Sequence, residues 1–273
     1  MYRCSASTMF FHEYPVETIL ESAEAATLDS VEFWLETPLF WLPGMPENEL
    51  VAALARHPAL SPVSVHAPVL DLNPCSINPR VADASVAYSV ESVAFADRVG
   101  ADVVTVHPGR RTAKRPPSPD DRRRLERLVG ALREVAAGAR VRVAIENMER
   151  KVNHLMTSPD EVRQLLDREE WLWFTLDVSH AMGTSVEEVG RFIDLCGDRL
   201  ANVHLSRASD GRMHMALSGH PDGRTVLEML RGIHYAGPLT LEIEDLRLDR
   251  AYSVGEKVAL IKSECAFIRS VMG

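Results

Sequence analysis

The segment TLDVSHA, residues 175–181, closes an apolar run from Trp171 to Leu176 and then sets an aspartate and a histidine three positions apart. In an extended strand successive side chains alternate between faces, so Thr175 and Asp177 share one side and Leu176 takes the other. The run WFTLD therefore reads as a buried strand that ends on Asp177, with His180 carried by the turn just above. A carboxylate and an imidazole at the end of a buried strand need something to face.

The same pattern recurs along the chain. Short β-branched runs, RCSAST, DSVEFW, PVSVHA, DVVTVH, VRVAIE, WFTLD, ANVHL and PLTLEI, make eight strand candidates. Between and after them lie stretches with apolar residues at helical intervals, among them VETILESAEAATL, DDRRRLERLVGALREVA and VGEKVALIKSECAFIRSVM. Several carry helix start signals, such as Ser158 before Pro159 and Asp160, and Ser185 with Glu188 three residues later. Eight strands, each followed by a helix, predict a single (β/α)8 TIM barrel over residues 1–273, with its active site at the C-terminal mouth of the strands.

Seven of the eight runs place an acidic residue or histidine near the strand end: Glu32, His66, His107, Glu146, Asp177, His204 and Glu242. The residue before each is aliphatic (Val31, Val65, Val106, Ile145, Leu176, Val203, Leu241), and two before stands Ser30, Ser64, Thr105, Ala144, Thr175, Asn202 or Thr240. By strand alternation the polar groups aim at the barrel axis and the aliphatic ones at the helices. Burying so many ionisable groups together costs several kcal/mol each unless something compensates them. A divalent cation is the simplest compensation, and donors of His, Asp and Glu without Cys suit zinc, manganese, cobalt or magnesium.

Composition narrows the function classes. The chain has 273 residues, 46% hydrophobic and 25% charged, as in ordinary globular proteins. No stretch approaches the roughly 18 uncharged apolar residues of a membrane span, and the N-terminus lacks a signal-peptide core, so a cytoplasmic location is expected. The four cysteines, Cys4, Cys75, Cys196 and Cys265, form no CxxC pair and read as small core residues. A net charge of −9 argues against broad adhesion to nucleic acid. Locally, Arg110, Arg111, Lys114 and Arg115, with Arg207 and Arg212, offer a positive rim suited to a phosphate or carboxylate. The apolar segment LETPLFWLPGMP, with Leu39, Phe40, Trp41 and Leu42, reads as a lid or pocket wall, or as the contact of a homo-oligomer. His12, His57, His154, His220 and His234 lie outside the strand-end register and read as surface or cap residues.

The motifs VEFW (31–34), SVHAPVLDLN (64–73), VHPG (106–109), IENM (145–148), LDVSHA (176–181), VHLS (203–206) and LEIE (241–244) together give the chain its resemblance to a known group. It resembles the xylose isomerase-like TIM barrels, which hold sugar and sugar-phosphate isomerases and epimerases together with apurinic/apyrimidinic endonucleases of the endonuclease IV type. The resemblance implies one central metal held by Glu146, Asp177, His204 and Glu242, with Glu146 and Glu242 as the catalytic acid/base pair and His180 on substrate oxygens. It implies a possible second ion at His66 and His107 with Glu146, as in the endonuclease branch. That branch holds a third ion at positions matching His180, His214 and an aspartate two residues before His214. Arg212 stands there instead, and a guanidinium cannot ligate a cation.

The leading expectation is thus a divalent-metal-dependent isomerase or epimerase acting on a sugar or sugar phosphate. Glu32, His66, His107, His180, Arg207, Arg212 and His214 are the expected substrate contacts. The alternative is an endonuclease IV-like hydrolase on abasic DNA, with nucleic acid as partner, and a third is a barrel that binds metal and ligand without turnover.

Overall fold

A computed structural model of the protein describes residues 2–41, 44–209 and 211–273. The barrel strands are β1 (Arg3–Ala6), β2 (Glu32–Trp34), β3 (Ser64–His66), β4 (Val103–Val106), β5 (Arg142–Glu146), β6 (Trp173–Asp177) and β7 (Leu200–Leu205), completed by β10 (Pro238–Leu241). A small antiparallel hairpin, β8 (Arg207–Ser209) and β9 (Arg212–Met215), rises between β7 and β10. The barrel strands pair in parallel in the order β1-β10-β7-β6-β5-β4-β3-β2. A bridge between Ser7 and Glu32 joins the two ends, so the sheet closes into a ring. All eight expected strands are present.

The outer layer consists of helices that begin where the caps indicated. Ser158 accepts from the Glu161 amide and Ser185 from that of Glu188, while Ser118 with Asp121 and Ser253 with Glu256 form capping boxes. Between strands and helices lies the apolar core, in which Val65, Ile145, Leu176, Val203 and Leu241 are wholly buried, as the alternation requires.

Inside the barrel the side chains stack in layers. Val103, Ala144 and Ala201, with Trp173 against them, form an apolar plug. Above it, Thr105 and Thr175 share a hydrogen bond of 2.9 Å, and Thr240 donates to Asn202 Oδ1 at 3.0 Å. Asn202 in turn donates to Glu32 Oε2 at 2.7 Å, and Ser64 reaches the same oxygen at 3.2 Å. Glu32 thus belongs to this polar floor and not to the mouth. The expectation that it contacts substrate is corrected: β2 runs two residues further, and Trp34 takes the upper position, paired across to His66.

The segment after β2 is also not a lid. Pro38–Trp41 is a short helix whose Phe40 is fully buried against Phe33 and Phe95, and Trp41 packs edge-on to Tyr88 at 4.8 Å. The segment packs on the helix Pro79–Arg98 and leaves the mouth open; Leu42 lies outside the described residues. The four cysteines are buried and free. No described helix is long and apolar enough to cross a membrane.

At the C-terminal end, Glu264 of the helix Val254–Met272 is fully buried and accepts from the amides of Leu217 (2.8 Å) and Ser218 (3.0 Å) and from the Ser218 hydroxyl. This contact ties the last helix to the chain leaving the hairpin. Glu264→Ala would leave two amides without their acceptor and is expected to lower unfolding free energy by about 3 kcal/mol, with Glu264→Gln losing less. Urea denaturation checks this, and a loss below about 1 kcal/mol would show the contact to be dispensable.

Candidate metal centre

The ends of β5, β6, β7 and β10 converge on one point. Glu146, Asp177, His204 and Glu242 each offer a ligand atom, all within 4.8 Å of one another and all buried. His204 Nδ1 lies 3.2 Å from Glu242 Oε2, 3.6 Å from Glu146 Oε1 and 4.0 Å from Asp177 Oδ2. Asp177 Oδ2, Glu242 Oε2 and His204 Nδ1 make no hydrogen bond despite complete burial. Buried polar atoms are normally satisfied, so unpaired donors aimed at a shared centre fit a divalent cation and little else.

The surrounding contacts fix the orientation of these groups. His204 Nε2 lies 3.0 Å from Glu32 Oε1 without hydrogen-bond geometry, so Glu32 sits beside the ring nitrogen that faces away from the shared centre. Asn147 donates to the Asp177 carbonyl at 3.0 Å and accepts from the Asp177 amide at 2.7 Å, which locks β5 to β6 at the ligand position. Asp177 then caps the short helix Val178–Met182 through the His180 amide, and His180 Nδ1 donates to the Asn147 carbonyl at 2.9 Å. Asp177 and His180 therefore face a shared centre on one side and each other's support on the other.

Two further groups flank the centre. His66 and His107 place their Nε2 atoms 3.3 and 3.0 Å from Glu146 Oε2, with His66 Nδ1 donating to the Ala67 carbonyl. Opposite, Asp177, His180 and His214 form a third set of possible ligands. The expectation that Arg212 breaks this third set is corrected. Arg212 is exposed on β9, and Asp177 supplies the carboxylate from below. Asp210 lies outside the described residues, and Asp222 pairs with His220 at 3.5 Å instead.

Electrostatics follow from this packing. Burial pushes the Asp177 carboxyl up to about 6, with Glu242 and Glu146 adding to the effect against His180 and His214. Burial opposes charge on His204, yet Glu242, Glu32 and Glu146 hold it well above the ordinary histidine value. The same histidine keeps Glu242 low, and His107 with His204 keeps Glu146 well below the usual range, both against their burial. The carboxylates raise His66 and His180 as well, so the histidines of the cluster, His204 most of all, favour the positive charge that offsets the acids.

Above the cluster opens a cavity of about 720 Å³, walled by Met9, Trp34, Val69, Leu70, Met213 and Leu246 among apolar residues, and by Glu13, Glu149, Lys151, Glu244 and Asp245 among charged ones. His66, His107, His180 and His214 reach it, and so does His12, which strand register alone had placed outside. Arg207 and Arg212 are not among its lining residues: Arg207 donates along the hairpin to the Ala216 carbonyl. Nor is the loop of Arg110, Arg111, Lys114 and Arg115, where Arg111 turns to the Pro116 carbonyl. Of the positive rim expected from sequence, only Arg110 comes near: it lines a smaller adjoining cavity that shares His107 and Val69 with the large one.

Two outcomes test the centre. Because the carboxylates hold His204 well above the ordinary histidine value in the metal-free chain and a ligand must be neutral, loading with zinc or manganese is expected to release protons at pH 7. Release should grow near pH 6 as Asp177 also becomes protonated, and affinity should rise with pH. Calorimetry in buffers of different ionisation enthalpy measures this; loading without proton release would remove His204 from the ligand set. Separately, Glu32→Gln is expected to weaken the central ion about 10–100-fold without touching it, as loss of an outer partner does. Unchanged affinity in a metal-competition titration would leave Glu32 as floor packing only.

Comparisons with known proteins agree with this architecture. A family model described as "xylose isomerase-like TIM barrel" matches residues 20–271. Among curated sequences, the uncharacterized protein MJ1188 of Methanocaldococcus jannaschii is 28% identical over the full length of both chains. Among solved structures, an L-ribulose 3-epimerase superposes with a TM-score of 0.80 at 20% identity, covering 100% of this chain and 95% of that one. Endonuclease IV from Thermus thermophilus superposes with a TM-score of 0.71 at 17% identity, covering 98% of this chain and 99% of that one. These similarities to solved structures establish a shared fold. With the family model spanning nearly the whole sequence and the converging strand ends in place, the chain belongs to the xylose isomerase-like TIM barrel family.

Proposed function

We propose that this protein is a divalent-metal-dependent sugar isomerase or epimerase that moves a proton on a carbon next to a carbonyl. The observation that carries this reading is the placement of Glu146 and Glu242. They stand on β5 and just beyond β10, three strands apart in the eight-strand ring, and both border the open cavity. A sugar lying between them presents one face to each carboxylate. One carboxylate removes the proton from the carbon next to the carbonyl, giving an enediolate; it returns that proton to the neighbouring carbon in an isomerisation, or the other carboxylate, having first taken a proton from water, delivers it to the opposite face in an epimerisation. A cation held by Glu146, Asp177, His204 and Glu242 would polarise the carbonyl and its neighbouring hydroxyl. His180 and His214, at the edge of the same cavity, are placed to hold substrate oxygens, and His66 and His107 either do the same or take a second ion.

One observation favours the endonuclease-type reading: four overlapping ligand sets share residues of one cluster, as clustered phosphodiesterase metals require. The cavity walls weigh against it. Among the described lining residues Lys151 is the only lysine or arginine, it is paired with Glu149, and Glu13 and Asp245 add negative charge where a phosphate backbone would pass.

The test is proton exchange. Metal-loaded protein incubated with ketohexoses in D2O should incorporate deuterium at the carbon beside the carbonyl, followed by NMR. Glu146→Gln and Glu242→Gln should each slow exchange about 10²–10⁴-fold. No exchange across a ketose panel, together with cleavage of abasic duplex DNA, would move the assignment to the hydrolase.

A further inference from the structure

Two of the most exposed large apolar side chains sit at the rim of the cavity: Leu246 is 83% exposed and Leu70 is 60%. Exposed leucines on loose loops mean little, but these loops are held by buried charges. Glu36, 7% exposed, accepts from the amides of Val69 (2.6 Å), Leu70 (2.5 Å) and Asp71 (3.4 Å), so its carboxylate grips the turn that presents Leu70. On the other rim, Lys257, 4% exposed, donates to Asp245 Oδ2 at 2.7 Å and to the Phe10 carbonyl at 2.5 Å, with the rings of Phe10, Phe11 and Tyr14 around its ammonium. That contact pins the 3-10 turn Asp245–Arg247 which carries Leu246. Burying an acid and a lysine is expensive unless they are fully engaged, and here both are engaged in fixing a leucine in water.

Met9, Val69, Met213 and Trp34 add to the apolar lining of the same cavity, which also holds the cluster's His66, Glu146, His180 and Glu242. Trp34 is itself fixed, edge-on to His66 at 6.3 Å and with its amide bonded to Thr8. The cavity volume of about 720 Å³ falls within the roughly 300–1,000 Å³ that encloses drug-sized ligands, more than one hexose fills. Among the described lysines and arginines only Lys151 lines it, paired with Glu149, and Glu13, Glu244 and Asp245 add negative charge above the histidines.

Resting on the sugar reading above, we infer that the substrate is an uncharged sugar conjugate whose apolar group packs against Leu70 and Leu246. The sugar end meets the histidines and glutamates below, and the apolar group lies in the collar above. Fixed apolar walls raise affinity because the loops need no ordering when the ligand arrives.

The experiment uses non-reacting probes with the metal-loaded protein: methyl β-D-glucoside, phenyl β-D-glucoside and glucose 6-phosphate, each titrated by calorimetry. Phenyl β-D-glucoside is expected to bind at least about tenfold tighter than the methyl probe, equivalent to about 1.4 kcal/mol. The phosphate should bring no gain. The double variant Leu70→Ser/Leu246→Ser should lose the tenfold preference while binding the methyl probe as before, with an unchanged circular dichroism spectrum. Equal affinities, a preference that survives in the variant, tighter binding of the phosphate, or no phenyl binding at millimolar concentration would each overturn the inference. So would a dimer in solution that the double variant dissociates, since the collar would then be a subunit contact. Deuterium exchange with ketohexoses reads the chemistry separately. Exchange without aryl preference removes the collar and keeps the isomerase; aryl preference without exchange does the reverse.

Discussion

His204 holds the barrel mouth together because each of its ring nitrogens has a different master. Nε2 meets Glu32 from the floor, and Nδ1 meets Glu146, Glu242 and, further off, Asp177. No other described side chain in the cluster spans both layers in this way. Turning the ring would leave Glu32 buried without its cation and scatter the three carboxylates, each of which costs several kcal/mol if unpaired in the interior. The floor network of Asn202, Thr240, Thr105 and Ser64 holds Glu32 at the height this contact needs.

The same constraint explains why a chain of ordinary composition tolerates a charged core. The carboxylates push His204, and with it His66 and His180, toward the charged form, whereas burial lowers His107 against the attraction of Glu146. Occupation by a cation replaces a proton with a stronger charge at the same point, so the ligand geometry needs little rearrangement. Preorganised donors of this kind are what let an active site stabilise developing charge without reorganising at the moment of reaction.

Strand parity made the inward-facing groups legible from sequence: Glu146, Asp177, His204 and Glu242 meet where alternation aimed them, and His66 and His107 join Glu146. Parity settles the side of a sheet, not the height along the axis. Glu32 and Trp34 both face inward, and only the pairing of Trp34 with His66 shows which of them reaches the mouth. Loops have no parity at all, which is why Arg207, Arg212 and the 110–115 loop could be placed at the rim by sequence and yet do not line the large cavity. The residues that do wall the cavity, such as Met9, Leu70, Lys151 and Leu246, follow the strands at varied distances and carry no periodic signal. Asn147 left a clue in the IENM motif, since an amide beside a strand-end glutamate can bond the neighbouring strand in both directions, as it does with Asp177.

At its mouth the protein uses buried charge for two opposite ends. At the centre it gathers carboxylates around a point that could hold a cation, and Asp177 Oδ2, Glu242 Oε2 and His204 Nδ1 there make no hydrogen bond. At the rim it sets Glu36 and Lys257 on backbone and loop contacts that are fully satisfied, so those charges do no chemistry and serve only to hold the loops that shape the cavity. The distinction bears on the choice of substrate within the fold. A phosphodiester backbone needs free positive charge along its path, whereas here the buried lysine is engaged with Asp245 and the lining lysine with Glu149. The mouth offers carboxylate and imidazole atoms near the centre and apolar side chains among its walls, the lining on which the proposed sugar reading rests.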